Sequence, residues 1–136
     1  EEMQDRIDAH RVHRPEGWTT IEASRDVGAA LGEAEHDTVL LDCMTVLAGM
    51  ALGRTRPETE QQALDAMEAE VTDLLEAAER RPGRLIVVTN EVGWSVHPPT
   101  ALGRWYQDGM GAANRRLAER ADTVVLMVSG LEMRLK

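Results

Sequence analysis

The segment Leu85-Ile-Val-Val-Thr-Asn-Glu-Val-Gly93 decides the fold of this chain. Four aliphatic residues are followed at once by a hydroxyl, an amide and a carboxylate, a pattern typical of a buried parallel strand. A second aliphatic segment, Thr38-Val-Leu-Leu-Asp42, also ends at a carboxylate. Ligands of open α/β sheets bind outside the carboxyl ends of the strands, so the two segments predict one ligand-binding edge.

Helical patterns separate these strands. Residues 62–81 have apolar side chains at helical spacing up to Pro82-Gly83, and residues 44–52 and 100–121 are also predicted to be helical. A third aliphatic strand, 123–128, follows the last helix. Parallel strands need crossover connections, which are usually helices. The sequence therefore predicts an α/β fold with a mainly parallel sheet flanked by helices.

Weaker patterns are found near the two ends of the chain. Residues 1–13 are predicted to form a helix that ends at Arg14-Pro15, because a residue before proline avoids the helical region. A short strand is predicted at 18–22, a helix with a serine cap at about 24–31, and an edge strand at 131–136.

Length and composition limit the class of protein. A hydrophobic fraction of 43% excludes a disordered chain, and we expect residues 1–136 to form a single α/β domain. The net charge of −9 argues against binding to nucleic acid or to an anionic membrane. Cys43 is the only cysteine, and no apolar run approaches the ~20 residues of a membrane span. We therefore expect a cytoplasmic protein without a membrane span.

Asp42 is the first candidate site residue. It follows an aliphatic strand, as does the Walker B carboxylate that holds Mg²⁺ in P-loop nucleotide enzymes. An ordinary strand-end acid that caps the next helix explains the pattern about as well. Glu91, with Thr89 and Asn90 before it, favours the functional interpretation, because both carboxylates would face the same crevice.

His10 is the candidate nucleophile, and arginines follow it at positions 11 and 14. Imidazole can attack phosphorus when cations hold the phosphate oxygens, and guanidinium groups suit that task. From spacing alone, a solvated basic helix end is the commoner explanation. A zinc site formed by His10 and His13 is less favoured, because no third ligand is evident.

Several motifs follow one another in order along nearly the whole chain. They are Arg6-Ile7-x-x-His10-x-x-x-Arg14-Pro15-x-x-Trp18-x-Thr20-x-Glu22, Leu40-Leu41-Asp42-Cys43-x-Thr45, Thr89-Asn90-Glu91-Val92-Gly93, Asp108-x-x-Gly111-x-x-Asn114, Ala121-Asp122 and the ending Val128-Ser-Gly-x-x-x-x-x-Lys136. The third and fourth are the most specific. Together they resemble the bifunctional adenosylcobinamide kinase / adenosylcobinamide-phosphate guanylyltransferase family of cobalamin biosynthesis.

The resemblance implies a RecA-like P-loop NTPase fold and a two-step reaction. ATP or GTP would first phosphorylate the aminopropanol hydroxyl of adenosylcobinamide. His10 would then take GMP from GTP, release pyrophosphate and pass GMP to adenosylcobinamide phosphate, giving adenosylcobinamide-GDP. The family also implies a homo-oligomer, expected to be a trimer.

The same resemblance implies the composition of the nucleotide site. The residues expected on the nucleotide are Arg11, Val12, His13, Arg14, Glu22 and Asp42, and those expected to support the site are Thr89, Asn90 and Glu91. Asp42 is expected to hold Mg²⁺, which would offset the triphosphate charge in a chain of net charge −9.

The sequence departs from the family pattern at several places. It lacks the family's N-terminal strand and Walker A loop, so we expect a fold that is incomplete at its N-terminus and, for residues 1–136 alone, no kinase activity. Ala9 stands where many relatives have a second histidine. The family pattern has a small residue followed by Gly-Ile-Val-Pro after Gly93, and this chain has Trp94-Ser95-Val96-His97-Pro98 there. Where the pattern has Phe-Arg, this chain has Tyr106-Gln107.

Two other functions stay open from the sequence. A non-catalytic binding or assembly module that kept the fold and lost the P-loop would explain the missing Walker A loop. A different P-loop-type enzyme would use Asp42 and Glu91 for metal and water, and would hydrolyse nucleotide without a covalent histidine adduct.

Overall fold

The computed structural model describes residues 14–136, and the predicted helix at 1–13 lies outside them. The elements are α1 (Val27–Glu33), β1 (Thr38–Asp42), α2 (Met44–Thr55), α3 (Glu60–Arg80), β2 (Arg84–Val88), α4 (Ala101–Arg120), β3 (Val125–Val128) and β4 (Leu131–Arg134). None of the helices in this part of the chain is both long enough and apolar enough to cross a membrane.

The strands of the described region form two small sheets. β1 and β2 are parallel, with Asp42 opposite Val88, and β3 and β4 form an antiparallel hairpin. The hairpin turns at Ser129 and Gly130, which both have positive φ. The predicted mixed α/β fold with a parallel sheet and flanking helices is confirmed. In the described region the third aliphatic strand, β3, pairs with β4 and not with β1 or β2.

Residues 18–22 do not form the predicted strand; they are exposed and irregular. The predicted serine cap of the first described helix is also wrong, because α1 begins at Val27 after Asp26 in a left-handed conformation, with φ 53°. The backbone N–H of Gly28 donates to Asp73 Oδ2 at 2.7 Å, so α1 is held on α3.

The parallel sheet buries only one of its faces within residues 14–136. Val39 and Leu41 of β1, like Leu85 and Val87 of β2, pack against the helical core. The alternate residues point to the other face, where Ile86 is 44% exposed. The prediction of strands buried on both sides therefore holds for one face only.

α3 is the central helix of the core. It begins at Glu60, two residues before the predicted start, because the Thr59 hydroxyl caps it by accepting from Gln62 N at 3.3 Å. The predicted apolar stripe is confirmed at Met67, Val71 and Leu74. The other buried members of this core are Val27, Leu31, Met44, Leu47, Ala48, Leu52, Ala63, Ala77, Met110 and Ala113. These buried residues are all aliphatic or methionine, as a chain without phenylalanine requires.

An ion pair between α2 and α3 lies at the margin of this core. Arg54 contacts Glu70 and also donates to the carbonyl of Ser24. Loss of hydration on burial raises the pKa of the Glu70 carboxyl, and the charge of Arg54 opposes that shift. The pair therefore joins the segment before α1 to α2 and α3.

α4 packs along α3 and faces the end of the parallel sheet. Arg116 Nη1 donates to Thr72 Oγ1 at 2.9 Å and to Glu68 Oε1 at 3.2 Å. The two helices approach closely at Gly109, where a Cβ would lie 2.5 Å from Met67 Sδ. This packing fixes the position of α4 relative to the strand ends.

Candidate functional site

The carboxyl ends of β1 and β2 meet, as the sequence predicts. Asp42 and Val88 are partners in the last register position, so Thr89, Asn90 and Glu91 begin directly beside Asp42. Asp42 is exposed at this edge. α2 begins two residues later, at Met44, so the N-terminus of this helix, with its partial positive charge, directly follows Asp42 in the chain.

A threonine and an asparagine join the two strand ends. The Thr45 hydroxyl donates to Asn90 Oδ1 at 2.8 Å and accepts from Asn90 N at 3.1 Å. The carbonyl of Thr45 accepts a third hydrogen bond, from the Tyr106 hydroxyl, at 3.0 Å. The first turn of α2, the turn after β2 and helix α4 are therefore in direct contact.

Asn114 completes these contacts from α4. Its Oδ1 accepts from Thr89 Oγ1 at 2.7 Å, and its Nδ2 donates to the carbonyl of Asn90 at 3.0 Å. We call Thr45, Thr89, Asn90, Tyr106 and Asn114 the strand-end network. Its members come from distant parts of the sequence, so the structure alone identifies it as a unit.

Glu91 has a local partner. Its Oε1 accepts from Gly93 N at 2.9 Å, which closes the turn after β2. In residues 14–136 no group of three or more His, Cys, Asp or Glu side chains could hold a metal ion. Mg²⁺ in nucleotide sites is commonly held by one or two carboxylates together with substrate phosphates. The exposed Asp42 fits such a site with one protein carboxylate.

The loop over residues 92–100 is held by α4 through its backbone. Gln107 Nε2 donates to the carbonyl of Val92 at 2.9 Å and to Ser95 Oγ at 3.2 Å. Arg104 Nη1 donates to the two proline carbonyls at 98 and 99, at 3.2 and 3.3 Å. Trp94 on this loop is 77% exposed. Gln107 and Arg104 thus hold this loop on α4.

Arg14 and Glu22 lie together at a second place. They line a surface depression of about 630 Å³ together with Pro15, Glu16, Gly17, Trp18 and Thr20. Arg14 donates to the Thr20 hydroxyl across it. Asp42 does not line this depression. His10, Arg11, Val12 and His13 lie outside the described residues, so their roles stay predictions.

Tyr106 offers a direct test of the strand-end network. Burial and, to a smaller extent, the nearby Cys43 raise the pKa of its phenol above the ordinary value of about 10. It is the only tyrosine, so ultraviolet titration of tyrosinate reports on this group alone. We expect a midpoint above that of the urea-unfolded protein, and an equal or lower midpoint would contradict the part-buried position of the phenol.

The sign of the stability effect follows from this shift. A raised phenol pKa means that the folded state favours the neutral form. The contribution of Tyr106 to the free energy of unfolding is complete below the pKa of the phenol in the unfolded state. It is lost as the pH rises through the higher pKa of the phenol in the folded state. Tyr106→Phe should remove that alkaline loss and, at neutral pH, lower the free energy of unfolding by about 1 kcal/mol.

The geometry defines an α/β protein with a polar network at the carboxyl edge of a parallel sheet. The family model for cobinamide kinase / cobinamide phosphate guanyltransferase matches residues 1–135. The chain belongs to this family. The prediction made from the ordered motifs is therefore confirmed, and the class of enzyme is a kinase and guanylyltransferase of cobalamin biosynthesis.

Three curated relatives agree with this assignment. The "Bifunctional adenosylcobalamin biosynthesis protein CobU" of Escherichia coli (strain K12) is 35% identical over 144 residues, which cover all of this chain and 80% of the relative. The protein of the same name from Salmonella typhimurium has the same identity and coverage. The "Bifunctional adenosylcobalamin biosynthesis protein CobP" of Pseudomonas aeruginosa is 38% identical over 137 residues, which cover 99% of this chain and 75% of the relative.

Proposed function

We propose that this protein phosphorylates adenosylcobinamide and then transfers GMP from GTP to adenosylcobinamide phosphate through a guanylylated His10. The observation that carries the proposal is the family match over residues 1–135. The polar network at the carboxyl edge of β1 and β2 supports it, because that edge is where α/β sheets bind ligands.

The guanylyl transfer takes place in two displacements. The His10 imidazole attacks the α-phosphorus of GTP, the bond to the bridging oxygen breaks, and pyrophosphate leaves with the electron pair. A phosphate oxygen of adenosylcobinamide phosphate then attacks the same phosphorus, and the P–N bond breaks to regenerate His10. Arg11 and Arg14 stabilise the negative charge that develops on the phosphate oxygens.

The nucleotide site of this proposal combines the two places described above. Arg14 and Glu22 share one depression, and Val12 and His13 lie next to His10 in the sequence. Asp42 would hold Mg²⁺, which offsets the charge of the triphosphate. Thr89, Asn90 and Glu91 would support the site from the strand ends. We also propose a RecA-like P-loop fold, with GTP and ATP as substrates, and the family match supports both proposals.

Assembly and location are part of the same proposal. The family resemblance implies a homo-oligomer, expected to be a trimer. The exposed apolar side chains of the β3–β4 hairpin, among them Leu131 at 74% and Met133 at 55% exposure, support contacts between subunits. We expect the enzyme in the cytoplasm, where its single cysteine stays reduced.

Labelling of the full-length protein tests the central step. We would incubate it with Mg²⁺ and GTP that is radiolabelled at the α-phosphorus, and then treat the labelled protein with acid. A phosphoramidate is acid-labile, so the expected result is label that is stable in base, is lost in acid and passes to adenosylcobinamide phosphate. Nucleotide hydrolysis without any covalent label would favour a hydrolytic relative, and absence of both label and GTP binding would favour a non-catalytic module.

A further inference from the structure

The side-chain amide of Asn90 uses only its oxygen for hydrogen bonding within residues 14–136. Its NH₂ group has no acceptor there. The Thr45 hydroxyl accepts from Asn90 N at 3.1 Å and donates its own hydrogen to Asn90 Oδ1 at 2.8 Å. This pairing sets the orientation of the amide. Among residues 14–136, no group accepts a hydrogen bond from Asn90 Nδ2, and the residue is exposed. The amide NH₂ is therefore presented to solvent in a fixed direction.

The backbone of Asn90 is held on both sides. Its N–H donates to Thr45 on α2, and its carbonyl accepts from Asn114 Nδ2 on α4 at 3.0 Å. The preceding residue is fixed as well, through the bond from Thr89 Oγ1 to Asn114 Oδ1 at 2.7 Å. Preorganised donors of this kind are the groups that substrate sites use, because they lose little entropy when a ligand binds.

The structural role of Asn90, which is to join the turn after β2 to α2 and α4, does not need the side-chain NH₂ group. Oδ1 and the two backbone groups already join the turn to α2 and α4. The NH₂ group adds nothing to that junction, and it belongs to an exposed residue at the carboxyl edge, where Asp42 ends the neighbouring strand. Within residues 14–136 it makes no hydrogen bond to the Asp42 carboxylate, so it is available to an anionic ligand.

We propose that Asn90 is a substrate-contacting residue whose Nδ2 donates a hydrogen bond to a phosphate oxygen. The proposal rests on the function proposed above, which supplies two phosphate-bearing ligands. The oxygen belongs either to the guanine nucleotide or to adenosylcobinamide phosphate, and both present the same acceptor chemistry.

Asn90→Asp tests this contact with almost no change in shape. The aspartate keeps an oxygen for the Thr45 hydroxyl and both backbone bonds, but it replaces the donor with a negative oxygen that faces the phosphate. We expect an unchanged Tm and at least about a tenfold weaker Kd for the ligand concerned. Gln62→Glu is the matched control, because it makes the same amide-to-acid change while its Oε1 can still accept from Glu58 N at the start of α3.

The affinities of the full-length protein for GTP and for adenosylcobinamide phosphate are measured separately, with and without Mg²⁺. A weaker Kd for GTP alone assigns the contact to the nucleotide, and a weaker Kd for adenosylcobinamide phosphate alone assigns it to the corrinoid. Wild-type affinity for both ligands in folded Asn90→Asp overturns the proposal. If the aspartate variant does not fold, Asn90→Ala is measured below its own Tm, and the same outcomes apply.

This test is independent of the guanylylated histidine. If the wild-type protein takes no covalent label but binds GTP, the proposed mechanism fails while the binding comparison still decides the role of Asn90. If label forms normally in Asn90→Asp and both affinities are unchanged, the function stands and the role of Asn90 is refuted.

Discussion

Replacing His10 with alanine should abolish the covalent label that the protein takes from GTP labelled at the α-phosphorus. The imidazole is the proposed nucleophile, and removal of a nucleophile typically costs about three orders of magnitude or more in rate. GTP binding should change little, because the proposed contacts to the phosphate oxygens come from Arg11 and Arg14. Labelling at saturating GTP, followed by gel separation, measures the effect.

His97→Asn is the control for this experiment. His97 is exposed on the loop over residues 92–100 and has no place in the proposed transfer, so its variant should label like the wild type. Undiminished acid-labile label in His10→Ala would assign the nucleophile to another residue. Loss of label in both variants would indicate damage to the fold rather than loss of a nucleophile.

Replacing Gly83 with alanine should lower the free energy of unfolding by about 3 kcal/mol. Gly83 has φ 96°, which residues with a Cβ adopt at a cost, and that Cβ would lie 2.2 Å from the carbonyl oxygen of Asp37. The same carbonyl accepts from Arg84 N at 2.7 Å, the bond that starts β2 beside β1. A backbone atom cannot move aside as a side chain can, so the strand itself has to shift.

Gly53→Ala provides the matched comparison for Gly83→Ala. Gly53 lies inside α2, and a Cβ added there would meet no atom within 4 Å, so alanine should stabilise the helix by about 0.5–1 kcal/mol. Urea unfolding followed by circular dichroism gives both values. A loss below about 1 kcal/mol for Gly83→Ala would show that the start of β2 is more adaptable than the close contact implies.

The strands and helices with strong local patterns were predictable from the sequence. The aliphatic segments became β1 and β2, and the long amphipathic segment became α3, with its start moved by the Thr59 cap. Residues 18–22 and the pairing of β3 were not predictable, because strand pairing depends on partners that are distant in the sequence. Local periodicity describes which face of a strand is apolar, but it does not identify the neighbouring strand.

The edge of the parallel sheet was predictable, but the network on it was not. The positions of Asp42 and of Thr89 to Glu91 follow from where the aliphatic runs stop. Thr45 and Asn114 belong to the family-like motifs, and that is the only sequence signal for their contacts. Nothing in the sequence indicates that Tyr106 reaches the Thr45 carbonyl, because the two are 61 residues apart.

The hydrogen bonds between α4 and the loop over residues 92–100 determine which mutations this loop can accept during evolution. Arg104 donates to backbone carbonyls, and so does Gln107 in its contact with Val92. A carbonyl is present whatever residue carries it. Exposed side chains that make none of these contacts, such as Trp94, can therefore be exchanged by mutation while the path of the loop backbone is kept, which makes the loop a place where substrate preference can drift.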